Sequence, residues 1–510
     1  MTDRRSILDI SPRPVATAFV CVLLLSACTV GPDFVAPTAP AEAGFTPEKL
    51  APVTSAADGA GGAAQRFVQD ADVPGQWWTL FHSEPLNALI SESLVANPDL
   101  AAAQAALRQA NENVYADQAG LFPSLGGSAS ATRQKSPPSS TFNVVSASLS
   151  VSYSPDVFGG VRRQVESSEA QAEYERFQLE ATYLTLTSNV ANTAISVASL
   201  RAQIAATQDI IKIDSDQLDL LQHQFDLGAV SKSDVLAQQA ALAQAQAALP
   251  PLQKQLAQAR NQLMALVGRF PNQDKGETFD LATLTLPDQL PVSLPSKLIE
   301  QRPDVRSAES QLHEASANVG VAIANQLPQF NITGQIGTTA GAFDSLFSPG
   351  TGIWSIAGSV AQSIFDGGAL EHRKRAAVAA FEQSSALYRS TVISAFQDVA
   401  NALRALQADA DALKANVLAE KSARDSLDLA RRQYQLGAVA YLTVLNAEQV
   451  YQNAILNRVR AQAARYSDSV ALFQALGGGW WNRSDVNPDT EGSPDRFSLP
   501  PVQEIRLPRL

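Results

Sequence analysis

The chain contains the sequence QFDLGAV from Gln224 to Val230 and repeats it as QYQLGAV from Gln433 to Val439. Each copy supplies the only glycine of a long proline-free stretch, which runs from Val161 to Leu249 in the first case and from Ala369 to Leu476 in the second. Because a glycine readily takes the left-handed conformation that ends a helix, each stretch predicts two long helices joined by a short turn. The first helix alone would be roughly 100 Å long at about 1.5 Å per residue, longer than a single globular core needs.

Apolar residues recur at every seventh position along the first helix of each predicted pair. They are Val190, Val197, Ile204, Ile211, Leu218 and Phe225 in the first copy, and Val399, Leu406, Leu413, Leu427 and Tyr434 in the second. Glu420 is the one interruption of the second series. A sustained seven-residue apolar repeat predicts helices that pack side by side as in coiled coils.

Other segments repeat in the same order along the chain. The sequence NPDLAAAQAALRQANENVYA begins at Asn97 and is matched by RPDVRSAESQLHEASANVGVA from Arg302. Likewise, PDVFGG from Pro155 to Gly160 is matched by IFDGG from Ile364 to Gly368. Two copies of one helix and strand unit explain this order better than chance similarity between Ala- and Gln-rich helices.

The repeats define the predicted domain organisation. The first repeat covers residues 77–290, with strands at about 122–154 and long helices at 159–268. The second repeat covers residues 291–481, with strands at about 328–366 and long helices at 368–476. Residues 1–27 are predicted to be a signal peptide, residues 28–76 a lipid anchor with an extended linker, and residues 482–510 a disordered tail.

The predicted strands alternate apolar residues with small or polar ones. NVVSASLSVSYS starts at Asn143 and WSIAGSVAQSIF starts at Trp354, while SLGGSASAT from Ser124 and QFNITGQIG from Gln329 alternate more weakly. Such strands suit an outer-membrane barrel, although soluble hairpins covering a helix end remain an alternative. Four strands are too few to close a barrel, which takes about eight, and open edges are not tolerated in hydrocarbon. A barrel would therefore be shared between copies of the chain, and symmetry leaves a dimer, a trimer or a larger ring open.

The N-terminus has the features of a secretory signal. Arg4, Arg5 and Arg13 precede an apolar run from Val15 to Leu25 that is too short to span a bilayer. The run ends in Leu-Ser-Ala-Cys, which resembles a lipoprotein signal and predicts lipidation at Cys28; a signal peptide with a chance cysteine is the alternative. Thr29 follows the cysteine, where an aspartate would resemble an inner-membrane retention signal, so the outer membrane is favoured.

Composition excludes several classes of function. Cys21 would leave with the signal and Cys28 would carry lipid, so the mature chain would have no thiol for a disulfide, a metal site or a nucleophile. The formal net charge of −12 argues against nucleic acid as a partner. Beyond the signal, no run of about 18 apolar residues remains for a transmembrane helix.

Isolated motifs carry little weight. His313 and Glu314 begin like a zinc-protease signature, but Ala317 stands where the second ligand would be, so no metal is predicted. The glycine-rich GAGGAA at Gly59 follows no strand, so it is interpreted as flexible linker and no cofactor is expected. The two tryptophan pairs, Trp77 with Trp78 and Trp480 with Trp481, are predicted to pack rather than to bind a ligand.

Taken together, the lipoprotein signal, WWTLF at Trp77, the NPDL and RPDV segments, the two LGAV turns and the closing LGGGWW resemble the outer-membrane efflux factor family, in its lipidated TolC-like, NodT-type branch. The resemblance runs from Cys28 to about Trp481. It implies a mainly α fold with a small membrane β-barrel portion, in which a homotrimer forms a 12-strand barrel and a 12-helix periplasmic α-barrel. It also implies a non-enzymatic channel that conducts small toxic compounds or drugs and works with a periplasmic adaptor (membrane fusion) protein and a proton-driven inner-membrane transporter of the resistance-nodulation-division type.

The resemblance also assigns residues to the periplasmic tip. The aperture residues are Asp234, Tyr434, Thr443 and Asn446, and many relatives have an acid at the position of Asn446. The adaptor-docking tips are Gly228, Ala229, Val230 and Ser231 in the first repeat and Gly437, Ala438 and Val439 in the second. Three copies of Asp234 around an axis would favour cations, whereas its alternative role is only to cap a helix.

The two tips differ in their capping residues. Ser231 and Asp234 are spaced as a capping box, with Val230 and Val235 at the positions of a hydrophobic staple, whereas Ala440 replaces the serine at the second tip. The second tip is therefore predicted to be held less firmly, and the second helix pair to be the one that moves.

Two other functions stay open from sequence: an exit channel for protein secretion, and a nonconducting lipid-anchored coiled-coil scaffold.

Overall fold

The computed structural model describes residues 29–40, 44–135, 137 and 141–483. The predicted signal peptide, Cys28 and tail residues 484–510 lie outside the described residues. The helices are α1 (Glu84–Ala96), α2 (Pro98–Gln118), α3 (Gly160–Asp226), α4 (Lys232–Val267), α5 (Pro295–Gln301), α6 (Pro303–Ala324), α7 (Ala369–Gln435) and α8 (Tyr441–Ala475). The strands are β1 (Arg66–Gln69), β2 (Ser124–Lys135), β3 (Thr141–Tyr153), β4 (Gln289–Val292), β5 (Gln329–Ala340) and β6 (Gly352–Ala361).

The long helices and the four long strands fall inside the ranges predicted from sequence. We call α3 with α4 the first helix pair and α7 with α8 the second helix pair. The chain divides into two compact units. Among the described residues, one unit comprises residues 29–40, 98–182 and 303–395, and the other comprises residues 44–97, 183–302 and 396–483.

The first unit contains an antiparallel sheet with the strand order β2-β3-β5-β6. Its register places Leu149 opposite Ile336, and Ile336 opposite Trp354, so apolar side chains form a row across three strands. These three side chains are between 53% and 77% exposed. Serines occupy the alternate positions, where Ser130 and Ser146 hydrogen-bond between their Oγ atoms at 2.8 Å. The sheet therefore has the apolar and small-polar alternation that the sequence predicts.

The first described residues pack onto α3 in the same unit. Arg163 donates from Nη2 to Asp33 Oδ1 at 2.6 Å and from Nε to the Val30 carbonyl at 3.1 Å. The ring of Phe34 stacks on His313 with 4.4 Å between centroids, and His313 Nε2 lies 3.0 Å from Glu166 Oε1. His313 thus packs within the unit and pairs with a single carboxylate.

The second unit has an aromatic core. Trp77 and Trp78, in a short 3-10 helix over Trp77–Phe81, are both buried, and Trp77 stacks on Phe473 with 5.4 Å between centroids. Trp480 donates from Nε1 to the Gln301 carbonyl at 2.7 Å, and Trp481 donates to Asp72 at 2.9 Å. The predicted packing role is confirmed for Trp77 and Trp78, whereas Trp480 and Trp481 are half-buried and their packing role stays a prediction.

The segment predicted to be flexible linker is instead part of this unit. Strand β1 pairs in parallel with β4, and Arg465, which is only 1% exposed, donates to the carbonyls of Gly61 and Ala63 at 2.8 and 3.0 Å. The same guanidinium donates to Thr54 and Gln65 at 3.2 and 2.9 Å. The interpretation of GAGGAA as flexible is therefore wrong, because two of its carbonyls accept hydrogen bonds from a buried arginine.

The seven-residue pattern has a different outcome in the two repeats. On α7, the apolar positions Val399, Leu406, Leu413 and Leu427 are all 2% exposed or less. On α3, Val190 and Val197 are buried, but the four later positions of the series are only partly buried. The most buried residues in that part of α3 are Gln203, Thr207, Ile210, Asp214 and Leu221. The predicted stripe is correct for α7 from Val399 to Leu427, and its last member, Tyr434, is partly buried. On α3 the buried stripe is displaced onto residues that include polar ones.

Glu420, which interrupts the apolar series on α7, is paired with two arginines. Arg458 of α8 donates to Glu420 from Nε, and Arg424 donates from Nη2 at 3.2 Å. Because two arginines neutralise its charge, this carboxylate can occupy an otherwise apolar position of the pattern.

Candidate channel aperture and docking tips

The two predicted tips have the same backbone conformation. Gly228 and Gly437 have φ values of +72° and +71°, and their N–H groups donate to the carbonyls of Phe225 and Tyr434 at 2.8 and 2.9 Å. The next residue at each tip closes the turn by a bond of 2.8 Å to the carbonyl five positions before it. Both turns thus end a helix through a glycine in the left-handed region, as predicted.

Only the first tip has a side-chain cap. The Asp234 N–H donates to Ser231 Oγ at 3.2 Å, and the Ser231 N–H donates to Asp234 Oδ2 at 3.2 Å. At the second tip Ala440 offers no side-chain cap, and the Thr443 N–H donates to its carbonyl at 3.0 Å. The predicted difference in capping is confirmed, and it amounts to about 1 kcal/mol in favour of the first tip.

The four aperture residues differ in exposure. Thr443 and Asn446 are exposed and lie three residues apart on α8, so they share one face of the helix. Asp234 and Tyr434 are partly buried, and burial together with the Asp234 carboxylate raises the pKa of Tyr434. The ring of Tyr434 also meets Tyr441 edge-on, with 5.5 Å between centroids. A ring of aperture residues requires several copies of the chain, so this assignment stays a prediction.

The docking tips are open to solvent. The glycines and alanines of both turns and Ser231 are exposed, and Val230 and Val439 are partly buried. Val230 packs with Val235 in an apolar cluster, at the staple positions that the sequence indicates.

Sequence reasoning missed one pair of tip residues. Leu227 and Leu436 immediately precede the two glycines and are 85% and 84% exposed. Exposed leucines at equivalent places in two turns are a candidate contact for another protein. The signal was present, because both leucines belong to the repeated LGAV sequence.

Two absences hold for the described residues alone. None of their helices combines the length and apolar character needed to cross a membrane. Within the same residues, no three or more His, Cys, Asp or Glu side chains are grouped so as to hold a metal ion.

The family described as outer membrane efflux protein matches the chain twice, over residues 89–269 and 294–478. This chain belongs to the outer membrane efflux protein family. Each match contains one LGAV turn with its two helices and the strands that precede them.

Similar members of the outer membrane efflux protein family include channels of different pumps. The chain is 29% identical to the antibiotic efflux pump outer membrane protein ArpC of Pseudomonas putida, over 91% of this chain and 95% of that protein. It is also 29% identical to the cation efflux system protein CusC of Escherichia coli O6:H1, over 91% of this chain and 98% of that protein. The solved structure of the outer-membrane channel OprN superposes with a TM-score of 0.80 at 28% identity, covering 89% of this chain and all of that one. The fold is therefore TolC-like, and these relatives are outer-membrane channel proteins rather than enzymes.

Proposed function

We propose that this protein is the outer-membrane channel of a tripartite efflux pump, which passively conducts small toxic compounds or drugs out of the cell. The observation that carries the proposal is the double family match, in which each match includes a complete helix pair with an equivalent tip. The similarity to OprN over the whole of that channel supports it. A passive duct does no chemical work and so needs no active site. The energy for transport would come from the inner-membrane partner.

In this proposal the working unit is a homotrimer. Each chain contributes the four strands β2, β3, β5 and β6, with Leu149, Ile336 and Trp354 facing lipid, and three chains together close a 12-strand barrel. The helix pairs form the 12-helix periplasmic tunnel. Lipid attached at Cys28 anchors each chain to the outer membrane, and the packing of Val30 and Asp33 against Arg163 holds the anchored end beside α3.

We further propose that the tips dock a periplasmic adaptor, and that the adaptor connects the channel to a proton-driven transporter of the resistance-nodulation-division type. Leu227 and Leu436 join the predicted tip residues as the apolar part of that contact. Their exposure supports this role, because an apolar side chain so open to water is stabilised when a partner covers it.

Conductance of the acylated full-length protein in planar bilayers tests the channel. We expect single-channel currents from a heat-sensitive trimer, and a stable monomer that never permeabilises the bilayer would contradict the proposal.

Asp234→Ala then tests the aperture. Reduced preference for cations would place Asp234 in the constriction, whereas unchanged ion selectivity would mean that the residue only caps α4.

Drug susceptibility tests the cargo. The gene, expressed with a matching adaptor and transporter in a strain that lacks its own outer-membrane channels, should restore resistance to small toxic compounds.

Leu227→Ser with Leu436→Ser should lose that resistance while keeping conductance in bilayers, because the change affects docking alone. Resistance at the wild-type level would exclude the leucines from the adaptor contact.

A further inference from the structure

The four-stranded sheet has two cations at one end of an otherwise uncharged surface. Arg133 and Lys135, near the end of β2, are the only charged residues in β2, β3, β5 and β6. Both side chains are exposed, and neither makes a hydrogen bond or an ion pair with any residue that the structure describes. Nothing in the described part of the chain therefore neutralises these two charges.

The register places both cations on the apolar face of the sheet. Residues two apart on a strand share a face, and Arg133 and Lys135 follow Leu125 by even numbers of residues. Arg133 lies opposite Asn143 and Lys135 opposite Thr141, so neither cation has an acidic cross-strand neighbour. On the same face, closer to the helices, lies the apolar row that crosses β3, β5 and β6.

The position of the cations along β2 matches the edge of a membrane. Strand β2 begins just after α2 and β3 leads into α3, so the hairpin between the strands lies at the end of the sheet remote from those helices. Lys135 lies ten residues beyond Leu125. This separation is about 33 Å along the strand, or about 25 Å along the membrane normal for a strand tilted by about 40°, which equals the height of the apolar band of outer-membrane strands. In the proposed channel the cations therefore lie among the headgroups of the outer leaflet.

An apolar groove lies on the sheet below the cations. It has a volume of about 960 Å³ and is lined by Ala129, Leu149, Ile336 and Trp354 of the strands and by Phe347 of the loop between β5 and β6, among others. Most of its strand residues belong to the apolar face. Trp354 and Phe347 are 77% and 79% exposed, so the groove is open to an apolar ligand.

The groove and the cations are spaced to fit one lipid. Arg133 lies four residues beyond Ala129, which is about 13 Å along the strand. Because the hydrocarbon core is about 30 Å thick, each leaflet supplies about 15 Å. A lipid whose headgroup contacts Arg133 therefore has acyl chains long enough to reach the groove.

The two cations are suited to a phosphate group. The planar guanidinium of Arg133 can donate to two phosphate oxygens at once, and the ammonium of Lys135 adds a second positive charge close by. A headgroup without net negative charge would leave both cations uncompensated at the edge of the hydrocarbon. Charge complementarity therefore favours an anionic lipid.

We propose that Arg133 and Lys135 bind the phosphate of a lipid headgroup in the outer leaflet, and that an acyl chain of the same lipid occupies the groove. The inference rests on the proposed function for the direction of the sheet in the membrane. The ligand is part of the bilayer and is not the transported compound.

Quenching of tryptophan fluorescence measures binding to the full-length trimer in dodecyl maltoside micelles. The probe is phosphatidic acid with brominated acyl chains, which quench a tryptophan on contact. We expect saturable quenching that is largely lost in Trp354→Phe, because Trp354 lines the groove. Arg133→Gln with Lys135→Gln should weaken binding by about tenfold or more, because two charge-assisted contacts are lost. Binding unchanged in this double variant would refute the site.

A matched control removes two charges elsewhere in the same unit. Arg373 and Arg389 are exposed on α7, and Arg373→Gln with Arg389→Gln should keep the wild-type affinity within about twofold. An equal loss in both double variants would mean that only the net charge matters and would overturn the proposal.

Two competing ligands identify the source of the phosphate. Brominated phosphatidylcholine, whose phosphate is balanced by a cation, should bind the wild type and the Arg133→Gln, Lys135→Gln variant with similar affinity. Inorganic phosphate should not displace phosphatidic acid, since it has no chain for the groove. Displacement by inorganic phosphate would overturn the assignment to a lipid.

An acid of a neighbouring copy is the competing explanation for the two cations. Asp344, in the loop between β5 and β6, is exposed and has no ion pair within the described residues. Asp344→Asn should leave both lipid binding and the heat stability of the trimer unchanged. If Asp344→Asn lowers heat stability as much as the loss of both cations does, the cations pair between copies and the lipid site is refuted.

Conductance separates failure of this site from failure of the proposed function. A wild type that binds phosphatidic acid through the two cations but carries no current would contradict the channel and support the site. A wild type that conducts but binds phosphatidic acid no more tightly than phosphatidylcholine would refute the site and leave the channel.

Discussion

The helices α3 and α7 occupy equivalent places in the two repeats, yet they accommodate a carboxylic acid in opposite ways. Glu420 of α7 receives hydrogen bonds from Arg458 and Arg424. Asp214 of α3 has one buried oxygen with no partner, and burial raises its pKa. An acid between helices can thus be paired with two arginines, or it can be buried with one oxygen unpaired, which raises its pKa.

The tips extend this comparison. The first tip is held by its own cap of Ser231 and Asp234, whereas the second lacks a cap and is instead held through Tyr441, which bonds to Gln238 of the first pair. The first tip is therefore stabilised locally, and the second depends on its neighbour. This asymmetry agrees with the prediction from sequence that the second helix pair is the one that moves.

The largest effect is expected where the acid is paired with arginine. Glu420→Leu restores the apolar pattern but leaves Arg458 without its carboxylate, and we expect a loss of about 2 kcal/mol in the free energy of unfolding because removing one partner exposes the cost of burying the other. Thermal unfolding of the purified protein measures it. Glu420→Leu combined with Arg458→Leu should recover most of the loss, and a single variant as stable as the wild type would contradict the ion-pair interpretation.

An intermediate and equal effect is expected at the two turn glycines. Gly228→Ala and Gly437→Ala should each cost about 1.5 kcal/mol, since φ is positive at both and an added Cβ atom would meet nothing within 4 Å at either. Hydrogen exchange at each turn reports the change. A clearly larger cost at one glycine would mean that the turns are not equivalent and would break the comparison.

The smallest effect is expected from exchanging the caps. Ser231→Ala should lower the stability of the first tip by about 1 kcal/mol, and Ala440→Ser should raise that of the second by less, because Thr443 lacks the carboxylate that completes the box. In the wild type, exchange should be faster over Gly437–Thr443 than over Gly228–Asp234. The opposite order would contradict the assignment of the second pair as the moving one.

Local features of the fold were predictable from sequence. The glycine turns, the capping box and the alternating strands depend on neighbouring residues, and each is found where the pattern predicts it. The stripe on α7 was predictable for the same reason, since its leucines are both apolar and regularly spaced.

Features that depend on distant partners were not predictable. Gln203, Thr207 and Asp214 are polar, so a search for apolar periodicity selects their half-buried neighbours Ile204 and Ile211 instead. Their burial depends on partners such as Gln452, which hydrogen-bonds to Asp214 from 238 positions farther along the chain. The aperture is even less predictable from one sequence, because it would be formed by side chains from several copies of the chain.

The contact of Arg465 with the carbonyls of Gly61 and Ala63 has a consequence for biogenesis. The partners lie 404 and 402 positions apart, so the guanidinium is synthesised long after the segment that it will hold. Until α8 folds, those carbonyls lack the arginine, so we expect the segment around residue 60 to be more accessible to proteases than in the folded protein. Resistance to proteolysis near residue 60 would then report that α8 is in place.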